Sequence, residues 1–141
     1  MGSLNFLLDS NVLAELSKPE ANPGVLTKLA EHRAACATTA VVLHELAFGV
    51  AQLPESPRKT HLQTFINGLV ECGMAVLPYD QDAALWHARE QARRQAAGLA
   101  TRLRDGQIAA VAASRKLTLV SRNLADFQHF QGLSSTSWFS E

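Results

Sequence analysis

Four apolar runs of strand length limit how this chain can fold. They are LNFLL at 4–8, ACATT at 35–39, MAVLP at 74–78 and LTLVS at 117–121, and a long helix-patterned stretch separates each from the next. None has a partner within turn distance, so hairpins are excluded. Strands joined only through helices must lie parallel, because each crossover returns the chain to the end where the previous strand began. The fold class is therefore α/β, a parallel sheet covered by helices on both faces.

The helices announce themselves through their ends. A short one is expected from Asn11 to Ser17, stopping before Pro19. Asn22 and Pro23 read as N-cap and first helical residue of a second, Thr39 caps a mostly buried helix over 40–53, and Ser56 and Pro57 start a fourth. Asp80 caps a long helix that Gly98 ends, and Leu103 to Lys116 forms the last. After the fourth strand, NLADF reads as a helical turn followed by an irregular tail. No repeat or linker interrupts the pattern, so 1–141 is expected to be one domain. Met1, Gly2 and Ser3 carry no weight in this reading.

Composition excludes several classes. With 47% hydrophobic and 18% charged residues the chain is neither disordered nor fibrous. No apolar run reaches the roughly 20 residues that span a bilayer, and no basic flank or cleavage site marks a signal peptide, so a cytoplasmic location without membrane attachment is expected. Cys36 and Cys72 fit neither a disulfide framework nor a CxxC motif and are expected to be buried free thiols. Net charge is zero, yet residues 89–122 hold eight basic side chains against two acids. Such a segment gives a polyanion a positive approach, although solvated helix faces produce the same run.

Three acids stand where an α/β sheet binds ligands, beyond the carboxyl ends of its strands. Asp9 ends the first apolar run, and helix capping accounts for it equally well. Glu45 sits among Val41, Val42, Phe48 and Gly49 on one helix, where burial without a partner costs on the order of several kcal/mol. It requires an arginine, a metal or a catalytic hydrogen bond. Asp105 occupies the first turn of the last helix, where the macrodipole favours it. Gly106 beside it is a poor helix former and suggests a close approach to the backbone. Asn123 and Asp126 follow the fourth strand and are further oxygen donors, with capping by Asn123 the ordinary alternative. Carboxylates gathered at one sheet edge repel and raise one another's pKa, which implies a hard divalent ion; all-oxygen ligation selects Mg²⁺ or Mn²⁺ over zinc.

The ordered set FLLDSNVLAEL, AVVLHELAFGV, DGQIAAVAA and LVSRNLADF resembles the successive motifs of PIN-domain ribonucleases, in particular the VapC toxins of bacterial toxin–antitoxin pairs, from Phe6 to about Phe139. The resemblance implies a three-layer α/β/α domain with a short, mostly parallel sheet. It also implies a Mg²⁺- or Mn²⁺-dependent endoribonuclease that acts on single-stranded RNA through metal-activated water. Its partners would be a cognate antitoxin and a second copy of the chain. Asp9, Glu45 and Asp105 match the family's acids, Ser10 stands where threonine is usual, Asn11 matches an orienting asparagine, and the fourth acidic position falls on Asn123. Asp126 is placed to assist, and Arg102, Arg104 and Arg122 flank the motifs as candidate phosphate contacts.

Two other functions compete. A haloacid-dehalogenase-type phosphatase needs a second aspartate two residues after Asp9, where this chain has Asn11. A non-catalytic PIN-like RNA-binding module is hinted at only by Asn123. The chain has no GxSxG, GxGxxG or Walker A sequence, and the apparent HExxH start at His44–Glu45 fails because residue 48 is Phe. The five histidines show no ligand spacing. Asp80 and Asp82 read as helix-start residues, and Trp86 and Trp138 as packing, with an interface the alternative for Trp86.

Overall fold

The structure, a computed structural model, describes residues 3–141; Met1 and Gly2 lie outside it. Five strands form one sheet in the order β3-β2-β1-β4-β5: β1 (Phe6–Leu8), β2 (Cys36–Thr39), β3 (Ala75–Leu77), β4 (Thr118–Val120) and β5 (Ser134–Thr136). Every pairing is parallel, with Phe6 opposite both Cys36 and Thr118. Around the sheet pack six helices: α1 (Ser10–Leu16), α2 (Pro23–His32), α3 (Ala40–Ala51), α4 (Pro57–Glu71), α5 (Gln81–Ala96) and α6 (Leu103–Ser114). The α/β/α architecture expected from the sequence is the one observed.

The strand order fixes where the layers part. From β1 the chain steps outward to β2 and β3, then crosses back over both to β4 on the other side of β1. Right-handed crossovers put α1–α4 on one face and α5–α6 on the other. The switch point lies between β1 and β4. Both strands are shielded: Leu7, Leu8, Leu119 and Val120 are fully buried, each such side chain contributing about 1.5–3 kcal/mol.

The capping signals are the observed caps. Asn22 Oδ1 accepts from the Gly24 and Val25 amides, Thr39 from Val41, Ser56 from Lys59 and Asp80 from Ala83. Gly98 adopts φ +73° just beyond α5. Three expectations are corrected. The tail is not irregular: Ser134–Thr136 adds β5 beside β4, an exposed edge strand that needs no apolar alternation and so gave no signal. Helix α3 is not mostly buried, since Val42 and Val50 alone are inaccessible and Phe48 is 57% exposed. Of the two free thiols Cys36 is buried, its pKa pushed up to about 11 by that burial, whereas Cys72 is exposed. Trp86 tilts against Phe130 at 6.2 Å, and Trp138 is buried edge-on to Phe6 at 5.1 Å, packing the tail onto the core. No helix among the described residues is long and apolar enough to cross a membrane.

Candidate active site

At the switch point the ends of β1 and β4 are tied together. The Asp9 amide donates to the Val120 carbonyl at 2.9 Å, which continues the strand ladder by one residue and leaves Asp9 and Ser121 side by side. Asp9 is 6% exposed, and each of its carboxyl oxygens accepts a hydrogen bond from a nearby donor. Oδ1 accepts from the Ser10 amide and Oδ2 from Ser121 Oγ, both at 2.8 Å, while Asn11 Nδ2 stands 3.4 Å from Oδ2. Capping of α1 and a place in the cleft are thus the same geometry, because β1 ends where α1 starts.

Ser121 was not singled out by sequence reasoning. It is fully buried and its hydroxyl is saturated: it donates to Asp9 and accepts from Asn11 Nδ2 at 3.3 Å and the Asn123 amide at 3.1 Å. The available signal was a polar residue closing an apolar run at the same level as Asp9. Asn11 completes the tie by accepting from the Arg122 amide at 3.0 Å. The second position after Asp9 is therefore a structural amide bound on both sides.

Glu45 projects from α3, which leaves the end of β2 next to β1. The Thr38 hydroxyl braces that junction by donating to the Leu8 carbonyl at 2.9 Å. Glu45 does not occupy a buried face; its side chain is 29% exposed and opens onto the cleft. Its Oε2 accepts from Ser10 Oγ at 3.0 Å and lies 3.4 Å from Arg104 Nη1, so an arginine does accompany it. Asp105 stands in the first turn of α6, whose N-cap Arg102 offers no side-chain capping bond. Asn123 precedes a 3-10 turn, Leu124–Asp126, without a side-chain capping bond to it, and lines the cleft.

These residues converge. A cleft of about 400 Å³ is lined by Asp9, Ser10, Asn11, Glu45, Arg102, Leu103, Arg104, Asp105, Asn123, Asp126 and Phe127. Of the sequence-derived set only Arg122 is absent. Strand alternation turns Ser121 inward and Arg122 outward, where its guanidinium lies 4.8 Å from the Phe139 ring centroid.

The electrostatics is that of a crowded anionic site. The Asp9 carboxyl is pushed up by burial; its bonds to Ser121 and Ser10 oppose this, while Glu45 and Asp126 add repulsion. Asp105 is raised first by burial and then by Asp126 and Asp9, with Arg102 pulling the other way. Among neighbouring charges Asp126 acts most strongly on Asp105, so the fourth acid of the cleft stands three residues after the amide at 123. Among the described residues no three Asp, Glu, His or Cys side chains stand close enough to hold one ion between them. The ring of acids is open, and its all-oxygen chemistry suits a small hard cation that keeps part of its water shell and takes one or two carboxylates directly.

Comparison with known proteins agrees with this geometry. The PIN-domain family model matches residues 6–133. A VapC ribonuclease of Sinorhizobium fredii, Y4jK, is 33% identical over 125 residues, covering 86% of this chain and 89% of that protein. The DNA-bound VapBC structure from Salmonella typhimurium superimposes with a TM-score of 0.82 at 26% identity, covering 96% of this chain and 98% of its counterpart. A member of the VapBC family of toxin–antitoxin systems from Mycobacterium tuberculosis, VapBC-5, gives 0.66 at 25% identity, with coverage of 97% and 98%. Sequence, strand order and the convergence of acids at the switch point thus lead to one statement: this chain belongs to the PIN-domain family, in its VapC branch.

Proposed function

We propose that the protein is a divalent-metal-dependent endoribonuclease, the toxin of a toxin–antitoxin pair. One observation carries the reading: acids from β1, α3, α6 and the turn after β4 line a single cleft whose rim is basic. Asp9, Glu45 and Asp105 are the residues to hold Mg²⁺ or Mn²⁺, one or two of them directly and the rest through its water shell, with Asn123 and Asp126 completing the ring. When bound, such an ion activates water and neutralises a phosphate oxygen as charge develops on it.

The chain's own groups do the rest. Ser121, Ser10 and Asn11 keep the Asp9 carboxyl fixed, and the bonds from Ser121 and Ser10 oppose the upward pull of burial on its pKa. Ser10 also fixes Glu45 through its hydroxyl. Arg102 and Arg104 stand exposed on the rim, where a phosphodiester backbone would meet them before reaching the acids. Water attacking phosphorus in line breaks the bond to the 3′ oxygen, leaving a 5′-phosphate and a 3′-hydroxyl.

A second opening supports an antitoxin partner. A groove of about 770 Å³ runs between α1, α3 and α4; Ser10, Asn11 and Glu45 form its end, so it is continuous with the cleft. Its walls include Leu46, Val50, Leu53, Leu62, Phe65 and Ile66, which suits an apolar peptide segment arriving at the acids. The exposed face of α3, with Ala40, His44, Ala47 and Phe48, suits a second copy of the chain. The antitoxin reading is supported by the relatives, which are VapBC toxin–antitoxin complexes.

The test is incubation of the purified protein with total bacterial RNA, with and without Mn²⁺ or Mg²⁺, followed by mapping of the cut ends. Cleavage that needs the ion, is lost in Asp9→Asn and yields 5′-phosphates supports the proposal. RNA binding with no cleavage under any ion would identify a binding module instead.

A further inference from the structure

The glycine beside Asp105 raises a separate question, because its backbone does not require glycine. Gly106 lies within α6, buried, and is not among the residues with positive φ. What requires glycine is a side chain from the neighbouring helix. A Cβ at position 106 would stand 2.3 Å from His87 Nε2, 2.9 Å from Cδ2 and 3.1 Å from Cε1. The imidazole edge is seated directly on the α6 backbone, one residue from the Asp105 carboxylate.

That ring has little freedom to retreat. His87 is buried on α5 and lies 2.8 Å, through Nδ1, from the Tyr79 hydroxyl, with the two rings edge-on. Tyr79 itself is held in the short connection between β3 and the cap of α5. The α5–α6 pair is pinned at both ends: Asp80 bonds Arg115 at 2.9 Å, and Arg94 Nε donates to Thr101 Oγ1. Between the pins, contact of His87 with Gly106 sets how far the first turn of α6 stands from α5.

We infer that His87 is a positioning residue for Asp105, its ring acting as a wedge that fixes where the α6 acid meets the cleft acids carried by the sheet. The inference rests on the proposed role of those acids. Asp9 is fixed by β1 and β4, so any shift of α6 changes the Asp9–Asp105 separation, and functional groups must be held to within about 0.5 Å. Gly106 is thus the sequence's record of the imidazole.

The test measures Mn²⁺ binding to the metal-free protein by electron paramagnetic resonance, with unfolding followed in parallel by circular dichroism. His87→Ala is expected to fold and to bind Mn²⁺ about tenfold more weakly. Gly106→Ala, although alanine is the better helix former, is expected to lose at least as much. The double variant should bind more tightly than Gly106→Ala alone, because the new methyl group enters the space the ring has left. Single variants that lower the unfolding midpoint yet bind Mn²⁺ as wild type does would reduce His87 to a core residue and overturn the inference. If His87→Ala does not fold, Gly106→Ala reads the same contact from the other side. Wild-type protein that binds no Mn²⁺ would instead remove the metal-site reading, and this inference with it.

Discussion

Asp9 and Asp105 are the same residue type in one cleft, held in opposite ways. Asp9 sits on the sheet: buried, bonded through both oxygens, and locked by a hydroxyl from the adjacent strand. Asp105 sits half-exposed on a helix placed by its contacts with α5, beside the exposed Arg102 and Arg104. Burial and neighbouring acids push both carboxyls up; at the first site hydrogen bonds from Ser121 and Ser10 oppose the shift, while at the second the opposition comes from the Arg102 charge. The cleft therefore has a rigid anionic wall and an adjustable one.

The largest effect is expected at the rigid wall. Asp9→Asn removes the charge while keeping the shape, and RNA cleavage should fall by about 10³-fold or more, as for loss of a group that acts only on the developing charge. The fold should survive, because relief of a buried, repelled carboxylate offsets one lost acceptor. Near-wild-type cleavage by the folded variant would remove Asp9 from the chemistry. Ser121→Ala comes next. It takes away the strongest donor to Asp9 Oδ2 and the acceptor for Asn11 and Asn123, at a cost of about 1–3 kcal/mol in stability. Activity should drop about 10- to 100-fold, and the acid limb of the pH–rate profile should move to higher pH, since the bond that lowers the Asp9 pKa is gone. An unmoved acid limb would mean Ser121 only packs.

How much of this contrast was legible in the sequence follows from the same physics. The strands of the buried sheet were readable because burial on both faces demands continuous apolar runs, and the helix starts because Asn22, Thr39, Ser56 and Asp80 carry the capping chemistry themselves. Asp9 and Glu45 stood out as charges that interrupt apolar patterns, and Asp105 as an acid in the first turn of a helix beside a glycine that the helix does not favour. Ser121 did not, because its importance lies in a bond to a residue 112 positions away, and a serine ending a strand is unremarked locally. His87 was invisible for the same reason, although Gly106 recorded its presence. β5 was missed because a polar edge strand obeys no alternation, and the exposure of α3 because an apolar helix facing outward looks like a buried one.

The cleft acids and two glutamates outside the cleft make opposing claims on stability with pH. Asp9 and Asp105 have raised native pKa values, so between the ordinary carboxylate range and those values the native state holds protons that the unfolded chain releases. Metal-free stability from these groups therefore falls as pH climbs through that window. Glu15, bonded to Lys18 and the Asn22 amide, and Glu90, bonded to Arg93 and the Gln131 amide, have lowered values; their contribution is present above the ordinary glutamate range and is lost as pH falls through the depressed values. The difference between wild type and Asp9→Asn isolates the first term. The variant's melting midpoint should gain on wild type as pH rises through the acidic window, and added Mn²⁺ should raise the wild-type midpoint more at neutral than at acid pH, because the ion competes with protons. A difference that does not vary with pH would show that Asp9 is not strained by its burial.

The smallest effect belongs to the adjustable wall and tests whether its arginines serve the fold or the substrate. Arg104 lies 3.4 Å from Glu45, but its side chain is 56% exposed, and an ion pair so open to water contributes about 0–1 kcal/mol at most. Arg104→Ala should accordingly leave the melting midpoint within a few degrees of wild type. If the guanidinium receives phosphate, KM for RNA should rise a few-fold at low salt while kcat changes less, because a contact made equally with substrate and transition state is lost. The salt dependence of KM should also flatten, since one fewer counterion is displaced from the backbone on binding. A variant whose kcat falls while KM stays put would instead assign Arg104 to Glu45, as the cation that holds that acid in place beside a rigid neighbour.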